Sequence, residues 1–396
     1  MFDTISLMKI HKFMLPPKIL FGINAVDNVG VEASRFGKKA LLISDSNIEK
    51  AGILERVQKR LEEKGVKTCF FDEGGREPTI EVANAVAKVA RKDKYDLVIG
   101  LGGGSVMDMA KVASIAVTNT GEMEEYLGVG KVERPGISLI LISTTAGTGS
   151  EVTPNSIIIL PEKNLKTGII SPYILADVAI TDPTLTLSVP PKVTAATGLD
   201  ALSHAIEALM STEANPLTDA LAYEAVKLIG ENLRLAYAQG TNLEARYGMS
   251  LGCLMSGIAL ANAGVCIGHA AAYTFAAKHH VSHGVSCGLV LPYVMEFNSI
   301  TCIPKLARVA TALTGKTYLT LRDASSDAAY AVKELMIDVD LPTSLKEIGI
   351  SKEEIPEMAE ALLGNTRLLS RNPRIITKKH AVLLFEKIWE GRLEND

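Results

Sequence analysis

DLVIGLGGGSVMDMAKVASIAV, Asp96–Val117, decides the fold. Asp96–Leu101 is a short apolar run of strand length, Gly102-Gly103-Gly104-Ser105 follows it, and Val106–Val117 resumes with helical period. A strand that turns through glycines directly into a helix is the repeating unit of a parallel sheet. The unit recurs on either side. Lys39–Ser44 (KALLIS) is a strand followed by helical Ile48–Lys64. Thr68–Asp72 (TCFFD) is followed by helical Thr79–Arg91, with Val82, Val86 and Val89 on one face, and Leu139–Ser143 is a fourth strand. Phe13–Gly22, limited by Pro16-Pro17, reads as an extended edge segment. Strands alternating with helices predict an α/β domain, a parallel sheet with helices on both sides.

The alternation stops at Val178–Pro191 (VAITDPTLTLSVPP). Beyond it the period is helical: Lys192–Met210, Pro216–Asn232, Glu244–Ala263, Ile303–Leu313, Leu321–Met336, Lys352–Leu363 and Lys378–Glu390. A chain of 396 residues exceeds the usual single core, so two domains are expected. These are an α/β domain over 1–187 and an all-helical domain over 188–396.

Composition narrows the function. The chain is 47% hydrophobic and 22% charged, the balance of a globular protein in water. A net charge of −4 without a basic block excludes a nucleic-acid partner. The five cysteines are odd in number and lack CxxC spacing, which predicts reduced thiols and a cytoplasmic location. The opening MFDTISLMKIHKFMLPPKILFG is broken by charges and a Pro-Pro, and no apolar run reaches membrane-spanning length, so no membrane partner is expected.

Thr197–Met210 (TGLDALSHAIEALM) carries Asp200 and His204 four residues apart in a helical pattern, so both face one side. A carboxylate and an imidazole so placed can grip one metal ion, which needs further ligands from elsewhere. Four of the seven histidines, His269, His279, His280 and His283, lie within Gly268–Gly284 (GHAAAYTFAAKHHVSHG). On one straight helix His269 and His283 would be about 21 Å apart, too far for a single ion, so the chain must fold back, and Lys278–Gly284 is the expected break. The residues alone do not rank His283 above His279 or His280.

The Gly100–Ser105 run departs from G-x-G-x-x-G. It reads either as a phosphate cradle at a helix N-terminus or as a tight turn with Ser105 as cap. Thr144–Ser150 (TTAGTGS) follows the fourth strand in the same manner. Asp45, at the end of the first strand, either accepts from an adenosine ribose, favouring NAD over NADP, or caps the next helix.

GLDALSHAIEA, GHAAAY…HG, GGGSVMD and TTAGTGSEVT together, with PPKILFG and Asn372-Pro373-Arg374, spread over nearly the whole chain, resemble the iron-containing alcohol dehydrogenases. The resemblance implies a Rossmann-like, dinucleotide-binding sheet domain (1–187) plus an all-α, metal-binding and catalytic domain (188–396) in the dehydroquinate-synthase-like arrangement, with the active site in the cleft between them. It implies metal ligands Asp200, His204, His269 and His283, with His279 and His280 as non-ligands. Cofactor contacts fall on Asp45, Gly102, Gly103, Gly104, Ser105, Asp108, Thr144, Thr145, Thr153 and Lys166. It implies NAD, a divalent metal (Fe²⁺ from the family, Zn²⁺ equally suited to N/O donors), a small alcohol or aldehyde substrate and a homodimer or higher homo-oligomer. The metal would polarise the substrate oxygen while hydride passes to or from nicotinamide C4. Three neutral imidazoles and one carboxylate would leave a divalent centre at net +1. His269 and Tyr273 are the catalytic candidates. Tyr273 stands where many family members have histidine, which leaves the proton relay open, and Glu77 stands where many have asparagine. The alternatives are a dehydroquinate-synthase-like or glycerol-dehydrogenase-like enzyme and a non-catalytic metal or nucleotide binder. The first would want basic residues near the ligands, and the helical half offers few.

Overall fold

The computed structural model describes residues 9–72, 78–163 and 165–394; Glu77 lies outside them. The chain divides into two compact units, Leu15–Val189 with Thr241–Ser250, and 9–14 with Pro190–Gly240 and 251–394.

The first unit is built on β1 (Lys18–Phe21), α1 (Val29–Phe36), β2 (Lys39–Ile43), α2 (Ser46–Lys50), α3 (Ile53–Glu62), β3 (Lys67–Phe71), α4 (Ile80–Lys92), β4 (Leu97–Gly102), α5 (Gly104–Ala116), β5 (Gly128–Val129), β6 (Ser138–Ser143), β7 (Asn155–Leu160), β8 (Leu165–Ile170) and β9 (Val178–Thr181). Six strands form a sheet in the order β1-β9-β6-β4-β2-β3, every pair parallel. Alternate residues face opposite sides. Leu41, Ile43, Val98 and Leu141 pack into one core with α4 and α5; Ala40, Leu42, Ile99 and Ile140 pack into the other with α1 and α3. Burial on both faces is why these strands read as unbroken apolar runs.

Three details differ from the sequence reading. Ile48–Lys64 is two helices, because Gly52 takes φ 74° between α2 and α3. VAIT is a further strand, β9, inside the sheet between β1 and β6, rather than the place where strands end. A small second sheet, β5-β8-β7, was not anticipated; its β7–β8 pair is antiparallel. The unit also takes Thr241–Ser250 from the helical half of the sequence. Arg246 there donates to the Val189 carbonyl at 2.9 Å, and the Tyr247 ring meets Phe21 edge-on at 4.9 Å.

The second unit carries α6 (Pro191–Met210), α7 (Pro216–Ala238), the later part of α8 (Leu243–Ala263), α9 (Ile267–Ala276), α10 (His283–Thr314), α11 (Leu321–Asp338), α12 (Ile355–Gly364), α13 (Thr366–Leu369) and α14 (Lys378–Glu390). Pro191 starts α6 at a position where its missing N–H costs nothing. From Gly198 to Met210 every residue of α6 is buried, so it is a central helix rather than an amphipathic surface one. α10 runs on through Pro292 and bends at Cys302, just before Pro304, where the sequence reading had only the segment Ile303–Leu313. By length and composition it could cross a membrane, contrary to expectation, but 67% of its most apolar window is buried inside the protein, as in a core helix. Asn372 of the NPR motif exchanges two amide hydrogen bonds with Asn298 of α10, and Arg374 donates to the Phe297 carbonyl, so this motif ties a loop to the core.

Candidate active site

Two side-chain groups matter, one in each unit. In the helical unit, α6 carries Asp200 and His204, α9 carries His269, and α10 begins at His283. The chain folds back over 277–282, with His280 at φ 52°. His279 and His280 are thereby separated from the centre, and His279 instead meets Glu354 at 2.9 Å. Asp200 Oδ1 lies 3.7 Å from His204 Nε2, 3.9 Å from His269 Nε2 and 3.7 Å from His283 Nε2. The four donor atoms fall within 4.8 Å of one another. Four ligands tetrahedrally placed at bond lengths near 2.1 Å would be about 3.4 Å apart, so a slight contraction brings all four onto one ion. Asp200 Oδ1 and His269 Nε2 are buried and make no hydrogen bond. Two desolvated polar atoms aimed at a common point carry a penalty that a cation removes. Three nitrogens and a carboxylate oxygen suit Fe²⁺, Zn²⁺, Ni²⁺ or Co²⁺. Asp200, His204 and His269 are buried and His283 is partly exposed, so the centre opens to solvent on the His283 side.

Tyr273, one turn past His269, stacks on the His283 ring at 5.6 Å and meets His269 edge-on at 6.2 Å. Burial pushes its phenol up to about 12, so it stays protonated at neutral pH. Burial likewise pushes the Cys287 thiol, 3.6 Å from His283 Nδ1, up to about 11.

Glu207, absent from the sequence reading, sits directly behind His269, its Oε1 2.5 Å from Nδ1. A signal was present: Glu207 lies three residues past His204 on the same face of a helix whose other ionisable residue there is Asp200. Burial alone would raise its carboxyl pKa, but the His269 ring and the Cys266 amide hold it below the ordinary value. The +1 count of the ligand set therefore omits a nearby negative charge.

In the sheet unit, the loops after β2, β4 and β6 meet at the carboxyl edge. Connections leave β2 towards β3 and β4 towards β6, in opposite directions, so the β2/β4 crevice is the switch point where such sheets bind ligands. Asp45 follows β2, Gly102–Ser105 end β4 and open α5, and Thr144-Thr145 follow β6. The Thr144 N–H donates to the Gly102 carbonyl at 3.1 Å, joining the two small-residue loops. A Cβ on Gly102 would lie 2.6 Å from Val106, and one on Gly104 2.8 Å from Thr148. Asp45 caps α2, its Oδ1 accepting from the N–H groups of Asn47 and Ile48.

Asp108 and Thr153 are buried in a network. Asp108 Oδ1 accepts from Ser150 and Oδ2 from the Ile157 N–H. Lys111, also missed by sequence, is fully buried and donates to Ser150, Thr153 and the Asn155 carbonyl. Asp108 thus holds the loop that follows Thr144–Gly149. Lys166 stands on β8, opposite Ile159.

Known proteins resemble this chain over nearly its whole length. Residues 16–183 match the family described as iron-containing alcohol dehydrogenase, and 194–389 the Fe-containing alcohol dehydrogenase family, C-terminal. Long-chain-alcohol dehydrogenase 1 of Geobacillus thermodenitrificans is 37% identical over 391 residues, covering 98% of both chains. A crystal structure of 1,3-propanediol oxidoreductase superposes with TM-score 0.93 at 34% identity, covering 96% of this chain and all of that one. Sulfoacetaldehyde reductase from Bifidobacterium kashiwanohense, solved with NAD⁺, gives TM-score 0.86 at 28% identity, covering 96% and 99%. The chain belongs to the iron-containing alcohol dehydrogenase family. It is an oxidoreductase, a metal-dependent, NAD-linked alcohol dehydrogenase acting on alcohols or aldehydes. The dehydroquinate-synthase-like and glycerol-dehydrogenase-like alternatives are not favoured.

Proposed function

We propose that this enzyme interconverts small primary alcohols and aldehydes with NAD(H) in preference to NADP(H), using Fe²⁺ held by Asp200, His204, His269 and His283, with Zn²⁺ as a substitute. The observation that carries this reading is the pair of buried, unbonded atoms, Asp200 Oδ1 and His269 Nε2, converging with two more histidines. Bound there, the divalent ion would act as a Lewis acid on the substrate oxygen. The chain's own groups do the rest. Gly102, Gly103, Gly104 and Ser105 let the backbone approach a pyrophosphate, and the first N–H groups of α5 point at it. Thr144, Thr145 and Thr153 supply small polar contacts, Asp108 holds their loop, and Lys166 contacts the ribose. Free thiols at all five cysteines favour a cytoplasmic enzyme. The outer side of edge strand β1, unpaired among the described residues, favours a homo-oligomer, which light scattering tests. The decisive experiment is NADH production from a panel of alcohols by protein reconstituted separately with Fe²⁺ and Zn²⁺. Turnover of none with either metal overturns the proposal.

Asp45 sets the cofactor preference. Its Oδ1 makes the cap, so Oδ2 is the oxygen for a ribose hydroxyl, and a 2′-phosphate would be repelled. Asp45→Gly should move the NAD/NADP ratio of kcat/KM towards one while costing only a few tenths of a kcal/mol at the cap. A native preference for NADPH would leave Asp45 as a cap only.

Tyr273 donates to the substrate oxygen rather than shuttling a proton, because its phenol stays protonated. Tyr273→Phe should lower kcat about tenfold, the loss of one hydrogen bond of about 1.4 kcal/mol to the reacting oxygen, with metal content unchanged. Native kcat and KM in that variant would reduce Tyr273 to a wall of the pocket.

A further inference from the structure

We propose that Glu207 is a positioning residue for the metal centre. Its carboxylate fixes the His269 ring with Nδ1–H turned away from the centre and Nε2 presented to it, and places a negative charge behind that ring. The inference rests on reading Asp200, His204, His269 and His283 as a metal centre.

The geometry is specific. Glu207 Oε1 lies 2.5 Å from His269 Nδ1 and accepts from the His269 backbone N–H at 3.0 Å. Oε2 accepts from the Cys266 N–H at 2.8 Å and the Gly268 N–H at 3.0 Å. The three backbone donors sit at the first turn of α9, so the carboxylate both satisfies the helix start and holds the imidazole that this helix carries. Room for it comes from Gly268, where a Cβ would stand 2.5 Å from Oε1. Helix α6 therefore brings two ligands, Asp200 and His204, and the support of a third, all from one face.

The choice of residue follows from the donor count. Every one of the four partners donates once Nδ1 carries the proton, and an ionised carboxylate only accepts. A glutamine would keep the length but turn an NH₂ group towards backbone N–H donors. The charge matters as well: with Glu207 counted, a divalent ion, its ligands and this support sum to zero instead of +1. A carboxylate behind a ligating imidazole raises its basicity, and losing such a support typically weakens metal binding 10–100-fold.

The test is Glu207→Gln, assayed for Co²⁺ and Zn²⁺ affinity by chelator competition and for the visible spectrum of the Co²⁺-loaded protein. The expected result is a folded chain by circular dichroism, affinity about 10–100-fold weaker, and a shifted Co²⁺ band. Native affinity and spectrum, even with lower thermal stability, would make Glu207 a helix cap alone and overturn the proposal. A native chain that bound neither ion would instead overturn the metal reading beneath it. If the variant does not fold, the native chain decides: in Zn²⁺-loaded protein with ¹⁵N-labelled histidines, His269 should bind through Nε2 and keep its proton on Nδ1. Coordination through Nδ1 would overturn the assignment.

Discussion

His204→Ala and His283→Ala are each expected to lose bound metal and to drop kcat/KM by at least about a hundredfold to a thousandfold, the scale for removing a main electrostatic stabiliser. Both remove one of four donors that meet around Asp200 Oδ1. The two differ in their effect on the fold. His283 is 28% exposed at its side chain, so its truncation empties little of the core, whereas His204 is buried and leaves a cavity. Metal loss shared by both, with stability falling more in His204→Ala, is the signature of a common ion. His279→Ala is the control. Its imidazole pairs with Glu354 near the surface, an interaction worth about 1 kcal/mol or less, and metal content should be native. Elemental analysis finding full metal in His283→Ala and loss in His279→Ala would sink the assignment.

The parallel sheet was legible because its chemistry is local. The inner strands β2, β4 and β6 are apolar runs, buried on both faces and closed by glycine or serine at their carboxyl ends; β9 was missed because Pro183 and Pro190-Pro191 follow it. The β7–β8 hairpin was not, because NSIIIL and LKTGII stand in a stretch where the strand–helix rhythm predicts a crossover, and PEKN between them lacks a hairpin-turn signature. Lys111 was hidden for a different reason. In sequence it is a lysine on a helix; it is buried only because Ser150, Thr153 and Asn155, some forty residues on, surround its ammonium. For the metal centre, the Asp200/His204 spacing was readable from helix geometry alone. The choice of His283 over its neighbours came from resemblance. What separates them is a tertiary fact, the turn over 277–282 that swings His279 towards Glu354 and starts α10 at His283.

That start of α10 is held by Gly284, and Gly284→Ala is expected to damage both stability and metal binding. A Cβ there would lie 2.1 Å from the Ala196 carbonyl oxygen, 2.7 Å from its carbon and 3.3 Å from the Asp200 Cβ. The clashing atoms are backbone, so no rotamer change relieves them; α10 and α6 must move apart. By intrinsic propensity alone, glycine to alanine inside a helix should gain about 1 kcal/mol. The overlap reverses the sign, with a net cost of about 1–3 kcal/mol as for other overpacked cores. The larger consequence is at the centre. His283 adjoins Gly284, and Asp200 is on the helix that would be displaced, so an opening of even about 1 Å exceeds the few tenths of an ångström that metal–ligand distances tolerate. Gly364, near the end of α12, supplies the comparison, since a Cβ there meets nothing within 4 Å. Gly364→Ala should keep native metal content with Tm at or slightly above native, while Gly284→Ala lowers both. If Gly284→Ala kept its metal and its Tm, the close approach of α6 and α10 would not be what sets the distance between His283 and Asp200.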